Sequence, residues 1–382
     1  MSEKVRVSGE LSETLPGQAP AAVSGALRLP RAARAMTRWG RLALRSCLAT
    51  GRPVIRHPWR TAAVVALLAL IGFGALAAGV NFWVSDHLRA SRAAVERHHN
   101  LDAMPHVQAC LDVWPRHGEA LLLAARVAGR LETFAEAEQF LERYQAAHGK
   151  DDDLFLEHLL LRAERGEVDE VSDIAQALVK QNHPATLPIL EALVQGHVRM
   201  LRLRDAQASL QLWRDRQPDS PQTFYWQGLI YERRARWDEA LGCYRRATDF
   251  DPDHDEARQK LSWLLLQMTL CGEALAHLEH LQRRQPENLM AQVYLARCHD
   301  QLGDQEEAAR ILDALLARQP DYQPALRERG RLALHAGQLP QAEGWLRQAV
   351  RLQPGDYESH YVLFQCLQRR GKGPEVEGSW SA

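Results

Sequence analysis

Proline recurs at a fixed interval through the second half of the chain. Six prolines follow one another 34 residues apart, and they are Pro184, Pro218, Pro252, Pro286, Pro320 and Pro354. A constant period of this length is typical of short units stacked in a row, rather than of one globular core. The sequence therefore predicts a repeat architecture for most of the 382-residue chain.

The window 221–254 shows one unit clearly. Apolar residues recur at three- and four-residue steps over 221–233 and 237–249, which predicts two short helices. Small residues at Gly228 and Ala240 would let these helices approach closely, and Pro252 cannot continue the second one. Each unit is therefore expected to form a helical hairpin.

Seven positions of this window carry a family resemblance: Phe224, Gly228, Tyr231, Ala240, Tyr244, Ala247 and Pro252. Their types and offsets resemble the tetratricopeptide repeat, and only Gln227 departs, where that family usually has Leu. The frame continues over 187–220, 255–288, 289–322 and 323–356. The resemblance implies an all-α, right-handed solenoid over 85–370, with about eight repeats and a capping helix from Tyr357 to about Arg370.

The first repeats are degenerate. The frame is still visible over 84–117, 118–151 and 153–186, but the last of these has Ser172 where Ala is expected. To keep the frame, Asp152 is interpreted as one extra residue between two repeats.

An uncharged stretch precedes the repeats. Residues 61–84 hold no charge over 24 positions, about 36 Å of helix, which exceeds the ~30 Å of a bilayer core. Trp59 and Trp83 stand at its ends, where amphipathic rings favour the interface. We predict an uncleaved transmembrane helix over 61–84. A signal peptide cleaved near Ala77 and a buried core helix are the alternatives.

Charge is divided unevenly about this stretch. Residues 1–60 contain 11 Lys and Arg against 3 Asp and Glu, and we expect them to form a disordered basic tail. The positive-inside rule keeps this tail in the cytoplasm and sends the repeats to the extracytoplasmic side. Residues 371–382 are expected to be a second disordered tail.

Five arginines of the tail recur at helical steps, and they are Arg31, Arg34, Arg38, Arg41 and Arg45. On a helix they would form one stripe, which suits contact with anionic lipid headgroups. An unstructured basic flank explains them equally well. No nucleic-acid-binding motif accompanies them, and we expect no nucleic acid as partner.

No pattern of catalytic or metal-binding residues is present. The 16 histidines and 6 cysteines are scattered, without a Cys-x-x-Cys pair or a zinc-type spacing. Nucleotide-binding glycine loops and the Gly-x-Ser-x-Gly nucleophile motif are also missing from the sequence. The sequence therefore predicts no catalytic residue, no metal and no cofactor, and we expect no enzymatic activity.

The resemblance implies a concave groove lined by the first helix of each repeat. The matching offsets give partner-binding candidates, and they are Glu191, Gln195, Tyr225, Leu229, Gln259, Trp263, Arg297, Arg327 and Arg331. Aromatic and arginine side chains are common anchors for peptides and proteins. The alternative for Tyr225 and Trp263 is packing between repeats. The Lys and Asn residues of the family's carboxylate clamp are not matched, so that function is not expected.

These observations predict a membrane-anchored scaffold for protein–protein interactions in an envelope-associated complex. The abundance of Ala, Arg and Leu favours a bacterial source. Two alternatives remain open: an adaptor in an export or envelope-biogenesis machinery, and a regulatory subunit of an enzyme complex.

Overall fold

The protein is described by a computed structural model, whose backbone covers residues 58–371 and whose side chains begin at Ala63. Within these residues the chain forms 17 α-helices and no strand. The all-α prediction is confirmed. Most of the predicted tails at 1–60 and 371–382, and with them the arginine stripe, lies outside the described residues, whereas residues 58–60 belong to the first helix.

The helices follow one another with short turns between them. The first, α1 (Pro58–Glu96), is much longer than the others. The next eight are α2 (Asn100–Val113), α3 (Gly118–Arg130), α4 (Phe134–His148), α5 (Asp152–Arg165), α6 (Val168–Lys180), α7 (Thr186–Arg199), α8 (Leu203–Arg214) and α9 (Pro221–Arg233). The last eight are α10 (Trp237–Phe250), α11 (Asp255–Gln267), α12 (Cys271–Arg284), α13 (Leu289–Gln301), α14 (Gln305–Arg318), α15 (Gln323–His335), α16 (Leu339–Leu352) and α17 (Tyr357–Arg369).

Helices α9 and α10 form the predicted hairpin of the window 221–254. Gly228 is required at their crossing, because a Cβ built there would lie 2.5 Å from Cε1 of Tyr244. Ala240 and Tyr244 are fully buried on the facing side. The small residues of the repeat therefore set how closely its two helices approach, as the sequence predicts.

The turn inside each hairpin contains one residue with a left-handed backbone. These residues are His98, Glu132, Gly166, Leu201, Ala235, Thr269, Gly303 and Gly337, and Gly371 takes the same position after the last helix α17. They recur every 34 positions, except that Gly166 and Leu201 are 35 apart. The extra residue therefore lies between α5 and the end of α7, and the interpretation of Asp152 as the insertion is wrong.

The same shift explains the mismatch at Ser172. In the frame that begins at Asp152, Val171 and Ala175 take the packed positions of α6, and both are buried. Ser172 lies beside them and is half-buried. Helix α6 therefore packs like the other second helices, one residue earlier than the sequence frame predicts.

First and second helices have different neighbours. The first helices of adjacent repeats pack against each other along most of the stack, as in α3 on α5, α5 on α7 and α13 on α15. Second helices of adjacent repeats lie further apart within residues 58–371, where α10 and α12 meet through the exposed ion pair of Arg245 and Glu273. The stack therefore curves with its first helices on the inside, which creates a concave groove.

Helix α1 joins the apolar stretch to the first hairpin without a break. Its amino-terminal part is long and apolar enough to cross a membrane, and side chains such as Val64, Leu70 and Phe73 are exposed. From Val84 onward the helix packs against α2 and joins the hydrophobic core. The predicted span of 61–84 is thus the first half of one continuous helix.

The solenoid curves enough to bring its beginning back to a later repeat. The Nε2 atom of His99, in the turn between α1 and α2, lies 3.0 Å from Oδ2 of Asp251 at the end of α10. Nearby, Nη2 of Arg284 on α12 donates to Oδ2 of Asp102 at 3.1 Å. The turn after α1 therefore rests against repeats that are far away in sequence.

Candidate functional site

The inner face of the first helices is the candidate site, and it holds the nine predicted groove residues. Three of them are buried: Glu191, Gln195 and Leu229. The other six are half-buried, and they are Tyr225, Gln259, Trp263, Arg297, Arg327 and Arg331. The groove therefore has a closed amino-terminal part and a more accessible carboxy-terminal part.

The closed part contains a buried acidic cluster, formed by Glu157, Glu164 and Glu191. Arg126 on α3 pairs with Glu157, and Arg130 on the same helix pairs with Glu191. Because the three carboxylates are buried and two of them pair with arginines, the acidic cluster is not available to a ligand.

The turn after α1 completes the enclosure of Glu191. The Nδ1 atom of His98 lies 3.0 Å from Oε1 of Glu191. Gln222 on α9 donates to the same oxygen at 3.4 Å. A predicted groove residue is thus covered by the segment that follows the apolar helix.

Burial and neighbouring charges set the pKa of each carboxyl in the acidic cluster. Burial raises the pKa of Glu164 to about 8, because the charged form loses its hydration and Arg130 only partly compensates. Burial would also raise the pKa of Glu191, but Arg130 and His98 outweigh it and hold the pKa at about 2. Glu164 therefore remains a proton-binding carboxyl near neutral pH.

The two central aromatic residues contact neighbouring repeats. The ring of Tyr225 lies 5.3 Å from that of His254 in the next turn and 6.2 Å from that of Tyr244. Trp263 on α11 meets Trp237 on α10 edge to face, with ring centroids 6.1 Å apart. Both rings pack between repeats while keeping part of their surface in solvent.

The carboxy-terminal part contains an arginine cluster, formed by Arg297 on α13 and by Arg327 and Arg331 on α15. Arg327 donates to Asp356 at 3.1 Å and lies 3.1 Å from Glu358. Arg331 pairs with Glu328. Two of the three guanidinium groups are therefore neutralised by close carboxylates.

Arg297 is the weakly paired member of the arginine cluster. Among the described residues, the only carboxylate oxygen within 4.0 Å of it belongs to Glu358, at 3.9 Å. Its Nε, like those of Arg327 and Arg331, is buried without a hydrogen-bond partner. Burial, together with Arg331 and Arg327, lowers the pKa of Arg297. This guanidinium can accept a further anionic partner.

Several residues of the groove were not predicted from the sequence. Arg126, Arg130 and His98 belong to the degenerate first repeats, where the frame was too weak to assign groove positions. Extending the offsets into 118–151 would have placed both arginines on a first helix. The contact of His98 depends on the curvature of the whole stack and carries no local sequence signal.

The side chains do not suggest metal chemistry in the part of the chain that the structure describes. No group of three His, Cys, Asp or Glu residues there is placed to hold a metal ion.

Comparison with known families identifies the repeat. Two sequence models described as tetratricopeptide repeat match the chain, one over residues 88–152, 260–322 and 301–357, the other over residues 221–254. Together they cover slightly more than half of it. The chain belongs to the tetratricopeptide repeat family. Comparison with curated proteins gave no significant match.

Three solved structures are similar to this chain. The Cut9–Hcn1 hetero-tetramer of the APC/C is 14% identical, with a TM-score of 0.53 over 70% of this chain and 53% of that chain. A thermophilic tetratricopeptide repeat protein of Thermus thermophilus is 24% identical, with a TM-score of 0.40 over 42% and 88% of the two chains. The type IV pilus biogenesis factor PilW is 21% identical, with a TM-score of 0.45 over 51% and 90%.

Membership of the tetratricopeptide repeat family assigns the broad role of the solenoid. Proteins of this family are scaffolds for protein–protein interactions, and their fold is generally non-enzymatic. The concave groove of this tetratricopeptide repeat protein is therefore its candidate partner-binding surface.

Proposed function

We propose that this tetratricopeptide repeat protein is a membrane-anchored scaffold that binds a protein or peptide partner in an envelope-associated complex. The family supports the scaffold role. The exposed apolar half of α1 supports the anchor, because such a surface is stable in a lipid bilayer and unfavourable in water.

The observation that carries the groove proposal is the incomplete pairing of Arg297. Burying a guanidinium without a close anion costs free energy, because the charge loses hydration. The carboxylate nearest to Arg297 is that of Glu358, 3.9 Å away. A carboxylate on a partner would form the charge-assisted hydrogen bonds that Glu358 does not. The partner is therefore an acidic segment that lies across the carboxy-terminal part of the groove.

The remaining groove residues take two roles in this proposal. Gln259, Trp263, Arg327 and Arg331 contact the partner beside Arg297, because they keep accessible surface. Glu191, Gln195 and Leu229 form the wall behind the bound segment, since they are buried. Tyr225 joins this wall because its helix α9 lies two repeats before that of Arg297. Partner contacts are thus concentrated on α11, α13 and α15.

The groove is tested by in vivo cross-linking and affinity capture of the full-length protein. Arg297→Ala should lose partners that the wild type and Arg310→Ala both retain. Arg310 is a suitable control because it is exposed on the second helix α14 and pairs only with nearby Glu307 among the described residues. Equal capture by both variants would refute the groove site, provided that their helical circular dichroism is unchanged.

The proposed orientation has its own test. The basic flank before residue 61 favours a cytoplasmic amino terminus, with the solenoid on the opposite side. External protease added to intact spheroplasts should then digest the solenoid and spare the amino-terminal tail. A solenoid that resists until the membrane is broken would reverse this topology.

A further inference from the structure

The turn between α2 and α3, residues Val113–His117, lies close to the end of the apolar stretch of α1. Helices α1 and α2 run antiparallel, and three contacts define their alignment. Ser91 Oγ donates to the carbonyl of Ala103 at 3.3 Å, and the Nδ1 atoms of His87 and His106 are 2.9 Å apart. The last contact joins Cys110 Sγ to the carbonyl of Val84.

This alignment gives the level of the turn along α1. Trp114 is four residues beyond Cys110, which corresponds to about 6 Å further toward the amino terminus of α1. The uncharged stretch of 61–84 measures about 36 Å, and a bilayer core needs only ~30 Å. With the hydrocarbon core counted from Thr61, the excess of about 6 Å lies at the carboxyl end of the stretch and places Trp114 at the level where the headgroups begin.

The surface of the turn suits that level. Val113 is 41% exposed and Trp114 is 39% exposed, so two large apolar side chains face outward at adjacent positions. Trp114, Pro115, Arg116 and His117 surround a shallow depression of about 420 Å³. An amphipathic indole beside an arginine is typical of the interface, where the ring meets the acyl chains and the cation meets phosphate.

The solenoid holds this turn in place. Nη2 of Arg143 on α4 donates to the carbonyl of Pro115 at 3.1 Å. Nε2 of His148 lies 2.8 Å from the carbonyl oxygen of Arg116. Two contacts from α4 therefore hold the backbone of the turn, and its exposed side chains form a rigid projection.

The next turn between two repeats has a surface that would oppose membrane contact. It connects α4 to α5 and carries Asp151, Asp152 and Asp153, all exposed. Three adjacent carboxylates are repelled by an anionic surface. An anionic membrane surface therefore disfavours contact at this second turn.

We propose that Val113–His117 rests in the headgroup layer of the bilayer that α1 crosses, with Trp114 as an interfacial anchor and Arg116 beside lipid phosphate. This inference depends on the proposed function, because it requires α1 to be the membrane anchor. The partner is the phospholipid surface itself. A second attachment point next to the span would fix the direction in which the groove faces.

The test uses photo-cross-linking of the full-length protein in vesicles of phosphatidylcholine and phosphatidylglycerol. A benzophenone amino acid replaces Trp83, Trp114 or Trp237 in separate variants, all three being exposed in the protein. After illumination, mass spectrometry detects lipid adducts at each position. Trp237 is the matched control, since it is an exposed tryptophan on α10.

Three outcomes distinguish a failure of the proposed interfacial turn from a failure of the proposed membrane anchor. Lipid adducts at positions 83 and 114, but not at 237, would support the interfacial turn. Adducts at 83 without any at 114 would overturn the inference and leave the anchor intact. If position 83 gives no adduct and alkaline carbonate extracts the protein, the anchor is wrong and the inference fails with it.

Discussion

His99 and Asp251 join the first helical hairpin directly to the fifth. The histidine lies in the turn after α1, the aspartate lies at the end of α10, and their side chains are 3.0 Å apart although 152 positions separate them. Arg284 and Asp102 make a second contact beside them. The amino-terminal part of the groove is therefore closed by polar contacts, which are much easier to open than a hydrophobic core.

Removal of both closing contacts should loosen this region without unfolding the protein. We expect Asp102→Ala combined with Asp251→Ala to speed amide hydrogen exchange over residues 97–102. The free energy of unfolding should fall by only about 0–1 kcal/mol per pair, because partly exposed ion pairs contribute little. Glu307→Ala, which breaks the local pair with Arg310, is the control and should leave exchange over 97–102 unchanged. Unaltered exchange in the double variant would show that the ends are held by other forces.

Stability should depend on pH through Glu164. The folded-state pKa of Glu164 is raised to about 8, above its ordinary value of 4.5, so the folded protein binds this proton more tightly than the unfolded chain. Its stabilising contribution is complete below pH 4.5 and is lost as pH rises toward 8. Glu164→Gln keeps the neutral form, so it should unfold at a higher temperature than wild type at pH 8 and at a similar temperature at pH 5. A difference that does not change with pH would contradict this account.

Two glycine substitutions should have opposite effects. A Cβ at residue 228 would lie 2.5 Å from the Tyr244 ring, so Gly228→Ala should destabilise the hairpin by about 1–3 kcal/mol. A Cβ at Gly242 on α10 would meet nothing within 4 Å, and Gly242→Ala should stabilise the helix by about 0.5–1 kcal/mol. Urea unfolding of the two variants measures both changes. Equal effects would mean that the packing at Gly228 is looser than the structure shows.

The cations of the groove should divide into structural and binding residues. Arg130 is buried and pairs with Glu191, so Arg130→Ala should cost about 3–5 kcal/mol by leaving buried carboxylates uncompensated. Arg297 is only weakly paired, and Arg297→Ala should change the free energy of unfolding by about 1 kcal/mol or less while weakening the partner. Denaturant unfolding would reject this division if Arg297→Ala proved as destabilising as Arg130→Ala.

The sequence predicts the repeat well where its motif is intact. Helices α9 and α10 match their predicted bounds to within one residue, since Gly228, Ala240 and Pro252 act locally. The predicted position of the extra residue is wrong, because an insertion at Asp152 and one after Gly166 give similar frames until the packing of Val171 is known. Local motifs fix a hairpin, but they do not fix the stacking angles of successive hairpins.

The same reason limits prediction of the candidate site. Offsets place Arg297, Arg327 and Arg331 on first helices, and the structure brings them together on α13 and α15. The covering of Glu191 by His98 results from curvature summed over several repeats, so small angular differences decide it. A groove position can therefore be predicted from its offset, whereas its accessibility cannot.

Helix α1 has a mechanical consequence. It runs from Pro58 to Glu96 as one helix, and no flexible linker separates its apolar half from the half that packs in the first hairpin. A tilt or rotation of the apolar half must then reorient the solenoid as well, because both are parts of one continuous helix. In the membrane-anchored protein proposed above, changes in bilayer thickness that tilt α1 would thereby alter where the groove points, with no change in the groove itself.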